Sequence, residues 1–442
     1  MEELENVHVK PVGLNGEMPR RIVHHPQSKS IVIVTERSAR HPMLLAGPQR
    51  EEAFVKLMHD KSFELLDSQA LLEGEAPQAL CLLPVAGEID PLVVVGTALV
   101  VEGEEEPSEG RILAFRISAR QLQLVSATLV RGAVYSIAAL TPDDATPDEA
   151  APPHPKAWLA ACINNRVHVL EVPRSLSGVP QYQVQASSKM GVSHEKLAPP
   201  MRALVSASGF VIALFVEATG CTFAVGDIMK SVTVMRYDPV ANTLDVVAKD
   251  PAPSWVTSIC MLDARHVVAT DTEHNLYLTA IPQDANPGGV LGKPRLEMRA
   301  EMRMGEFVNR IRLGHLRPAA DDALVRPLAL SGSVNGQISV LANVGSAHDF
   351  ATLLELQAAL VDSDDLAPPV ARFEYGAWRA FSSARKTVEM HGIVDGDLVE
   401  RFATELQRHE QDQVARVMAE KLKRPVSVDE VMRLVEDIQR LH

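Results

Sequence analysis

Two short segments have residue types and spacings that could support catalysis, but neither completes the set that its chemistry needs. Ser383-Ala-Arg-Lys386 has the Ser-x-x-Lys spacing of a serine nucleophile beside a lysine, yet the partner motifs of that enzyme class do not occur. The run from Gly288 to Lys293, GGVLGK, imitates a phosphate-binding loop. It is one residue short, and Pro294 stands where Ser or Thr must hold magnesium. The sequence therefore predicts a protein that is not an enzyme.

Metal-binding chemistry is equally incomplete. Asp395-Gly396-Asp397 could supply part of a calcium site, but the further oxygen ligands of such a loop do not follow. The cysteines and histidines show no metal-ligand spacing. We expect no cofactor and no metal, and we predict a turn at Gly396 with an Asp capping a helix that begins near Leu398.

Composition and charge restrict the class of protein further. The formal net charge of −14 argues against a protein whose main task is to bind a phosphate backbone. The four cysteines are far apart in apolar, strand-like runs, which favours buried, reduced thiols in the nucleus or cytoplasm. The N-terminus is not a signal peptide, and no apolar run approaches the length of a membrane span. We expect a soluble intracellular protein that does not act at a membrane.

Up to about residue 345 the chain consists of short apolar or alternating runs between polar, Gly or Pro turns, a pattern typical of β-strands. A strand, a tight turn and a second strand recur at roughly 45 to 65 residues, which favours four-stranded propeller blades over a pair of β-sandwiches. The predicted strands are Ser30–Thr35, Leu92–Leu99, Arg111–Ile117, Leu122–Leu129, Trp158–Ile163, Arg166–Val172, Phe210–Val216, Thr222–Val225, Val232–Tyr237, Val256–Leu262, His266–Ala269, Leu276–Ile281 and Gln337–Ala342.

The C-terminal part has helical periodicity. We predict a first helix over Phe350–Leu360 and a last one that starts with a capping box at Ser427 and Glu430. The expected organisation is a β-propeller over residues 1–349 and a small helical domain over 350–442 that packs on it. Segments biased in composition, at 141–155, 175–200 and 283–294, are predicted to be surface loops.

The stretch from Arg372 to Phe402 and the terminal VMRLVEDIQRLH resemble the C-terminal region of the damage-specific DNA-binding protein 1 family, the adaptors of cullin-4 ubiquitin ligases. Further similar segments follow in the same order, among them FELLD, RGAVYS, VGDIMKSVTVM, GEFVN and SVNG. The large subunit of the cleavage and polyadenylation specificity factor belongs to the wider family. The resemblance implies the family's third propeller, of seven-blade type, followed by its helical domain.

In this family the first and third propellers hold substrate-receptor proteins, often through an inserted helix, and the second binds the cullin scaffold. The first two propellers are not expected in a chain that starts within the third. The resemblance thus implies only an indirect link to the cullin-4 ligase, and a propeller with one incomplete blade.

The resemblance also assigns receptor-binding residues, with Tyr135 and Trp255 as the strongest candidates because they are large amphipathic anchors. Ordinary packing of a blade core or rim remains the alternative for each position. Arg310 and His274 stand where the family tends to be apolar and aromatic, respectively. The assigned residues are Ala133, Tyr135, Ser136, Ile212, Leu214, Phe215, Trp255, Thr257, Ser258, Phe307 and Asn309, with an acidic rim at Glu104 and Glu106.

Two functions follow from these observations. The first is a non-enzymatic interaction scaffold that docks receptor helices for ubiquitination linked to DNA damage repair. The alternative is a nucleic-acid-binding subunit of an RNA-processing or damage-recognition complex. The basic residues that could support this alternative, Arg379, Arg385 and Lys386, are few beside the 57 acidic residues of the chain. We therefore expect direct binding of nucleic acid to be weak or absent.

Overall fold

The computed structural model describes residues 11–39, 50–85, 90–141, 157–172, 200–283, 294–320, 322–362, 381–382, 387–388 and 390–441. Within these ranges the chain is mainly β, as predicted, and its strands form six antiparallel sheets of the propeller-blade type. The chain divides into two compact units. The first comprises Met1–Phe223 and Arg236–Asp245, and the second comprises Ala224–Met235 and Val246–His442.

Three four-stranded sheets lie in the first unit, and in each the strands neighbour one another in sequence order. The first sheet consists of β1 (Met18–His25), β2 (Ser30–Ala39), β3 (Arg50–His59) and β4 (Leu65–Ala70). The second consists of β5 (Glu75–Leu83), β6 (Leu92–Leu99), β7 (Gly110–Ser118) and β8 (Gln121–Val130). The third consists of β9 (Val134–Leu140), β10 (Ala157–Ile163), β11 (Arg166–Val172) and β12 (Arg202–Ser208).

The other three sheets continue the same pattern. The fourth has strands β13 (Ala213–Thr219), β14 (Thr222–Asp227), β15 (Ser231–Asp238) and β16 (Thr243–Lys249), of which the last three contribute residues to both units. The fifth, in the second unit, has β17 (Val256–Met261), β18 (His266–Asp271), β19 (Asn275–Ala280) and β20 (Glu297–Arg303). The sixth has β21 (Val308–Leu313), β22 (Val325–Ser333) and β23 (Ile338–Val344).

The helices belong to the second unit, which also contains a short hairpin of β24 (Phe381–Ser382) and β25 (Thr387–Val388). The helices are α1 (Ala347–Asp362), α2 (Gly396–Val399), α3 (Arg401–Thr404), α4 (Arg408–Leu422) and α5 (Val428–Gln439). Their apolar faces share one core with β22 and β23, through Val325, Val340 and Val344. The predicted packing of the helices against the β-structure is therefore confirmed within this unit.

The long apolar runs in the sequence correspond to second strands of sheets, which are buried. In β6, LVVVGTAL, and in β10, AWLAACI, nearly every residue is buried, because strands on both sides and other side chains above and below enclose them. Fourth strands such as β4, LLDSQA, and β12, RALVSAS, are mostly exposed or half-buried and read as polar sequence. The runs that identify strands are thus the interior ones.

The predicted incomplete blade has a counterpart in the sixth sheet, which has three strands in the described part of the chain where the other five have four. Cys162, Cys221 and Cys260 are buried, and none of the four cysteines, all of which lie in the described residues, forms a disulfide bond. The predicted boundary between residues 349 and 350 stays a prediction.

The structure corrects the predicted N-terminal caps of two helices, α2 and α5. Asp395 occupies the N-cap position of α2, but its side chain makes no capping hydrogen bond, and Gly396 is the first helical residue. Instead, the Asp395 amide donates to Oε1 of Gln357 at 2.7 Å. At α5 the Ser427 hydroxyl accepts from the amide of Glu430 at 3.1 Å, as expected for a capping box. The Glu430 carboxylate binds Arg424 (2.9 Å to Nη1), so only half of the box forms.

Several predicted features lie outside the described residues. They are the Ser383 to Lys386 and Gly288 to Lys293 segments, the basic residues Arg379, Arg385 and Lys386, and most of the three biased inserts.

Candidate protein-interaction surfaces

A β-bulge recurs near the start of the first strand of a sheet. In β9, Val134 and Ser136 pair with successive residues of β10, which leaves Tyr135 as the extra residue. Thr257 is the extra residue in β17, and Asn309 is the extra residue in β21. Because a bulge redirects the side chain it carries, these three predicted receptor-binding residues occupy one recurring structural position.

The same bulge is present in β1 and β5, where Arg20 and Gln78 are the extra residues. The bulge is therefore a repeated feature of these sheets and is not particular to one of them.

The residue that precedes the first strand also recurs. Ala133, Trp255 and Phe307 each come directly before a buried valine, and each backbone carbonyl accepts a hydrogen bond from the turn between the second and third strands of its sheet. This bond fixes the backbone from which the three side chains extend. The amide donors and their acceptors are Asn164 to Ala133 (3.2 Å), Thr272 to Trp255 (3.0 Å) and Val334 to Phe307 (3.0 Å).

Serines follow the bulge at two of these sites and connect neighbouring first strands. The hydroxyl oxygen of Ser136 accepts from the amide of Val216 at 3.1 Å. That of Ser258 accepts from the amide of Ile311 at 2.9 Å, and Ser258 is completely buried. A serine here satisfies a backbone donor, so both residues hold the surface in place from beneath.

The predicted residues of the first unit form what we call the Tyr135 surface, and their side chains differ in exposure. Tyr135 is half-buried, and burial, followed by the negative charge of Glu106, raises the pKa of its hydroxyl. Glu106 is exposed, whereas Ala133 is buried. The Tyr135 surface comprises Glu104, Glu106, Ala133, Tyr135, Ser136, Ile212, Leu214 and Phe215.

Glu104 has a local structural role in the acidic loop between β6 and β7. Its carboxylate accepts hydrogen bonds from the Ser108 amide (3.2 Å) and the Ser108 hydroxyl (3.0 Å). Its own amide donates to the carbonyl of Val101 at 3.2 Å. Glu104 thus folds the loop that presents Glu106, and its assignment as a contact residue stays a prediction.

Asn164 connects the segments of the Tyr135 surface, and sequence reasoning missed it. It lies in the turn between β10 and β11, and its side chain bonds the Ala133 amide (2.6 Å) and the Pro107 carbonyl (3.1 Å). Its backbone carbonyl accepts from the amide of Ala213 at 2.9 Å. The sequence signal is the Asn-Asn pair in CINNRV, which indicates a turn but not its bonding partners.

The predicted residues of the second unit form what we call the Trp255 surface: Trp255, Thr257, Ser258, Phe307 and Asn309. The side chain of Trp255 is 55% exposed, the one aromatic among the exposed large apolar side chains of the described part. Phe307 is half-buried, and its ring meets that of His274 edge-on, with 6.2 Å between centroids and 81° between planes. Trp255 and Phe307 therefore flank the turn from Thr272 to His274.

Thr257 supports this surface from below. It is buried, its Oγ1 donates to the carbonyl of Val308 at 2.7 Å, and it lies 2.9 Å from Oγ1 of Thr270. Asn309 is exposed. Beside Phe307, the side chain of Val334 is 64% exposed, an apolar neighbour that the sequence did not single out.

The structure thus brings eight predicted residues together in the first unit and five in the second, and their receptor-binding role stays a prediction. Within the described ranges, no group of three or more His, Cys, Asp or Glu is placed to hold a metal ion. No helix there is both long and apolar enough to cross a lipid bilayer.

Comparison with known proteins gives the following. A family model described as the CPSF A subunit region matches residues 195–404. The whole chain is similar to DNA damage-binding protein 1 of Oryza sativa subsp. japonica (28% identity over 444 residues) and of Solanum lycopersicum (28% over 449). It is also similar to DNA damage-binding protein 1b of Arabidopsis thaliana (27% over 445). The matches cover 100% of this chain and 36% of each relative, so the chain spans about a third of their length. They confirm the resemblance found in the sequence.

Proposed function

Because the chain is a relative of the proteins named DNA damage-binding protein 1 over its full length, we propose that it is a non-enzymatic interaction scaffold. Its partners are the substrate-receptor proteins of cullin-4 ubiquitin ligases, and each receptor docks by inserting a helix. The scaffold serves the ubiquitination that is linked to DNA damage repair. It acts in the nucleus and the cytoplasm.

The exposure of Trp255 is the observation that carries this proposal. Tryptophan is scarce in this chain, with three residues in 442, and more than half of this side chain is exposed. Buried aromatic residues supply much of the binding energy at protein interfaces, and their burial on binding is strongly favourable. An exposed tryptophan whose backbone is held by a hydrogen bond from the neighbouring turn therefore fits a docking anchor.

The surroundings of Trp255 suit an apolar helix face. Phe307 lies on the other side of the same turn, and Val334 adds apolar area next to Phe307. The hydrogen bonds from Thr272 and Val334 fix the backbone at both anchors, so little conformational entropy would be lost on binding. Helix docking through a few apolar anchors uses this arrangement.

The Tyr135 surface, considered by itself, suits a docking segment of different chemistry. Tyr135 offers an aromatic face with a polar tip, and Glu106 places a negative charge beside it. We propose that this surface receives a segment with an apolar residue and a nearby Lys or Arg. Electrostatic complementarity of this kind contributes mainly to specificity and to the association rate.

The relatives' name also states binding of damaged DNA, but the charge of this chain does not favour direct contact. With a formal net charge of −14, strong binding to a phosphate backbone would need a concentrated basic surface. We propose that any such role passes through a bound receptor protein.

The test is a binding measurement with purified components. The full chain is immobilised and exposed to a purified substrate receptor, to a synthetic peptide of that receptor's docking helix, and to duplex DNA with a defined lesion. Saturable receptor binding that the helix peptide displaces supports the proposal. Binding of the lesion DNA alone, or no binding of any receptor in a panel, contradicts it.

The indirect link to the ligase has its own test. Purified cullin-4 is expected to remain unbound when it is added without other proteins. Direct retention of cullin-4 would show that this part of the proposal is wrong.

A further inference from the structure

Asn164 adopts a backbone conformation that few residues tolerate. Its φ is 47°, in the left-handed region, where asparagine is among the best accepted residues after glycine. This conformation turns the chain between β10 and β11. It also aims the side-chain amide away from its own strands, toward the start of β9 and the acidic loop.

The two hydrogen bonds of this amide have opposite polarity. Oδ1 accepts from the Ala133 amide at 2.6 Å, and Nδ2 donates to the Pro107 carbonyl at 3.1 Å. A backbone N–H and a backbone C=O on two sides of one group require an acceptor and a donor, which fixes the orientation of the amide. Aspartate could serve the Ala133 amide but not the Pro107 carbonyl.

The neighbouring glycine makes room for this arrangement. A Cβ on Gly132 would lie 2.7 Å from both Cγ and Oδ1 of Asn164, and Gly132 has a φ of 122°. Gly132 and Asn164 are thus matched, since a side chain at residue 132 would displace the amide.

Each side-chain partner of Asn164 is a predicted receptor-binding residue or lies next to one. Ala133 is itself an assigned residue, and Pro107 follows Glu106. The Asn164 carbonyl accepts from the amide of Ala213, which lies between Ile212 and Leu214. One residue therefore connects the acidic rim, the bulged strand β9 and the start of β13.

We infer that Asn164 is a positioning residue of the Tyr135 surface, whose side-chain amide holds the acidic loop against β9 and so places Glu106 beside Tyr135 for a basic residue of the docking partner. The inference rests on the proposed function for its consequence in binding. The local coupling of the loop to β9 stands on the hydrogen bonds alone.

Two variants of the chain distinguish the effects of the two Asn164 side-chain hydrogen bonds. Asn164→Asp keeps the acceptor for Ala133 and loses the donor to Pro107. Amide hydrogen exchange is therefore expected to rise at the hydrogen-bonded amides of Glu104 and Ser108 in the acidic loop, but not at Ala133. Asn164→Gly keeps the backbone conformation and loses both bonds, so exchange rises at both places. Asn15→Gly is the control, because Asn15 is an exposed asparagine with a similar φ of 54°.

Receptor binding is measured on the same proteins. Asn164→Asp is expected to bind the receptor about fivefold more weakly, as for the loss of one hydrogen bond, and Asn164→Gly, which loses two, is expected to bind more weakly still. Asn15→Gly is expected to bind as the wild type does. Failure of the wild type to bind any receptor would reject the proposed function. The hydrogen-exchange data would still test whether Asn164 couples the acidic loop to β9. Unchanged exchange in the loop, or raised exchange with wild-type affinity, would overturn the inference.

Discussion

The hydroxyl oxygen of Ser258 accepts a hydrogen bond from the backbone amide of Ile311 at 2.9 Å, which joins the first strands of the fifth and sixth sheets. Ser258 is completely buried, and Ile311 is buried as well. In the first unit, Ser136 and Val216 make the corresponding bond. The recurrence indicates that a serine after the bulge serves the packing of adjacent blades.

Replacement of Ser258 by alanine is expected to destabilise the second unit by about 1–3 kcal/mol, because the buried Ile311 amide would lose its acceptor. Urea denaturation measures the change in the free energy of unfolding. Ser118→Ala, at an exposed serine that ends β7, serves as the control and is expected to be nearly neutral. Equal stability of Ser258→Ala and the control would contradict a structural role for this hydroxyl.

A second prediction concerns the buried ion pair of Arg111 and Glu75. Nε of Arg111 donates to Oε1 of Glu75 at 2.8 Å, its Nη2 contacts Oε2, and Thr97 donates to the same carboxylate at 2.5 Å. Arg111→Met would leave a buried carboxylate without its charge partner, at an expected cost of about 3–5 kcal/mol in the free energy of unfolding.

The exposed pair of Arg37 and Glu52 provides the matched control in the same unit, since both of its side chains are more than 40% exposed. Arg37→Met is expected to change the unfolding free energy much less, because water already screens this pair. A larger loss from Arg37→Met than from Arg111→Met would show that burial does not decide the contribution of these pairs.

A third prediction concerns pH. Burial and the Glu106 charge raise the pKa of Tyr135, so the folded state keeps this proton to higher pH than the unfolded state does. The stability contributed by this site is therefore complete below the unfolded pKa of about 10 and is lost as pH rises through the folded pKa. Glu106→Gln is expected to lower the Tyr135 pKa, as followed by NMR of labelled tyrosine with Tyr135→Phe for assignment.

Glu102→Gln is the control for this titration, because Glu102 is an exposed residue of the same loop and does not contribute to the shift. An identical Tyr135 titration in Glu106→Gln and the wild type would mean that the two side chains are not neighbours in solution.

Much of the fold could be predicted from the sequence because the second strand of a blade is buried on both faces. β6 and β10 were predicted within one residue of their bounds for that reason. The fourth strand β8 was predicted, but the fourth strands β4, β12, β16 and β20 were missed, because they carry polar residues that only pairing with the third strand orders. The strands β1, β3, β5, β9 and β21 were missed as well. Their hydrogen bonds depend on distant residues and leave little local pattern.

For the candidate site, the sequence named the residues but not the burial of each side chain. Sequence similarity located Trp255 and Ser258 equally well, yet one is largely exposed and the other is completely buried. They differ because Trp255 precedes β17, whereas Ser258 lies within that strand and pairs with Thr270, which a single sequence does not show. Asn164 was missed because its partners are 31 and 57 residues away in the chain.

The most direct test of the docking surface is the affinity of the Trp255→Ala variant for a purified substrate receptor, measured by titration calorimetry with the full chain. Val240→Ala, at a valine that is 89% exposed, controls for the loss of an exposed apolar side chain. We expect Trp255→Ala to weaken binding by about 2 kcal/mol, or about thirty-fold in Kd, and Val240→Ala to leave it unchanged. Wild-type affinity of Trp255→Ala would contradict the assignment of this surface as the docking site.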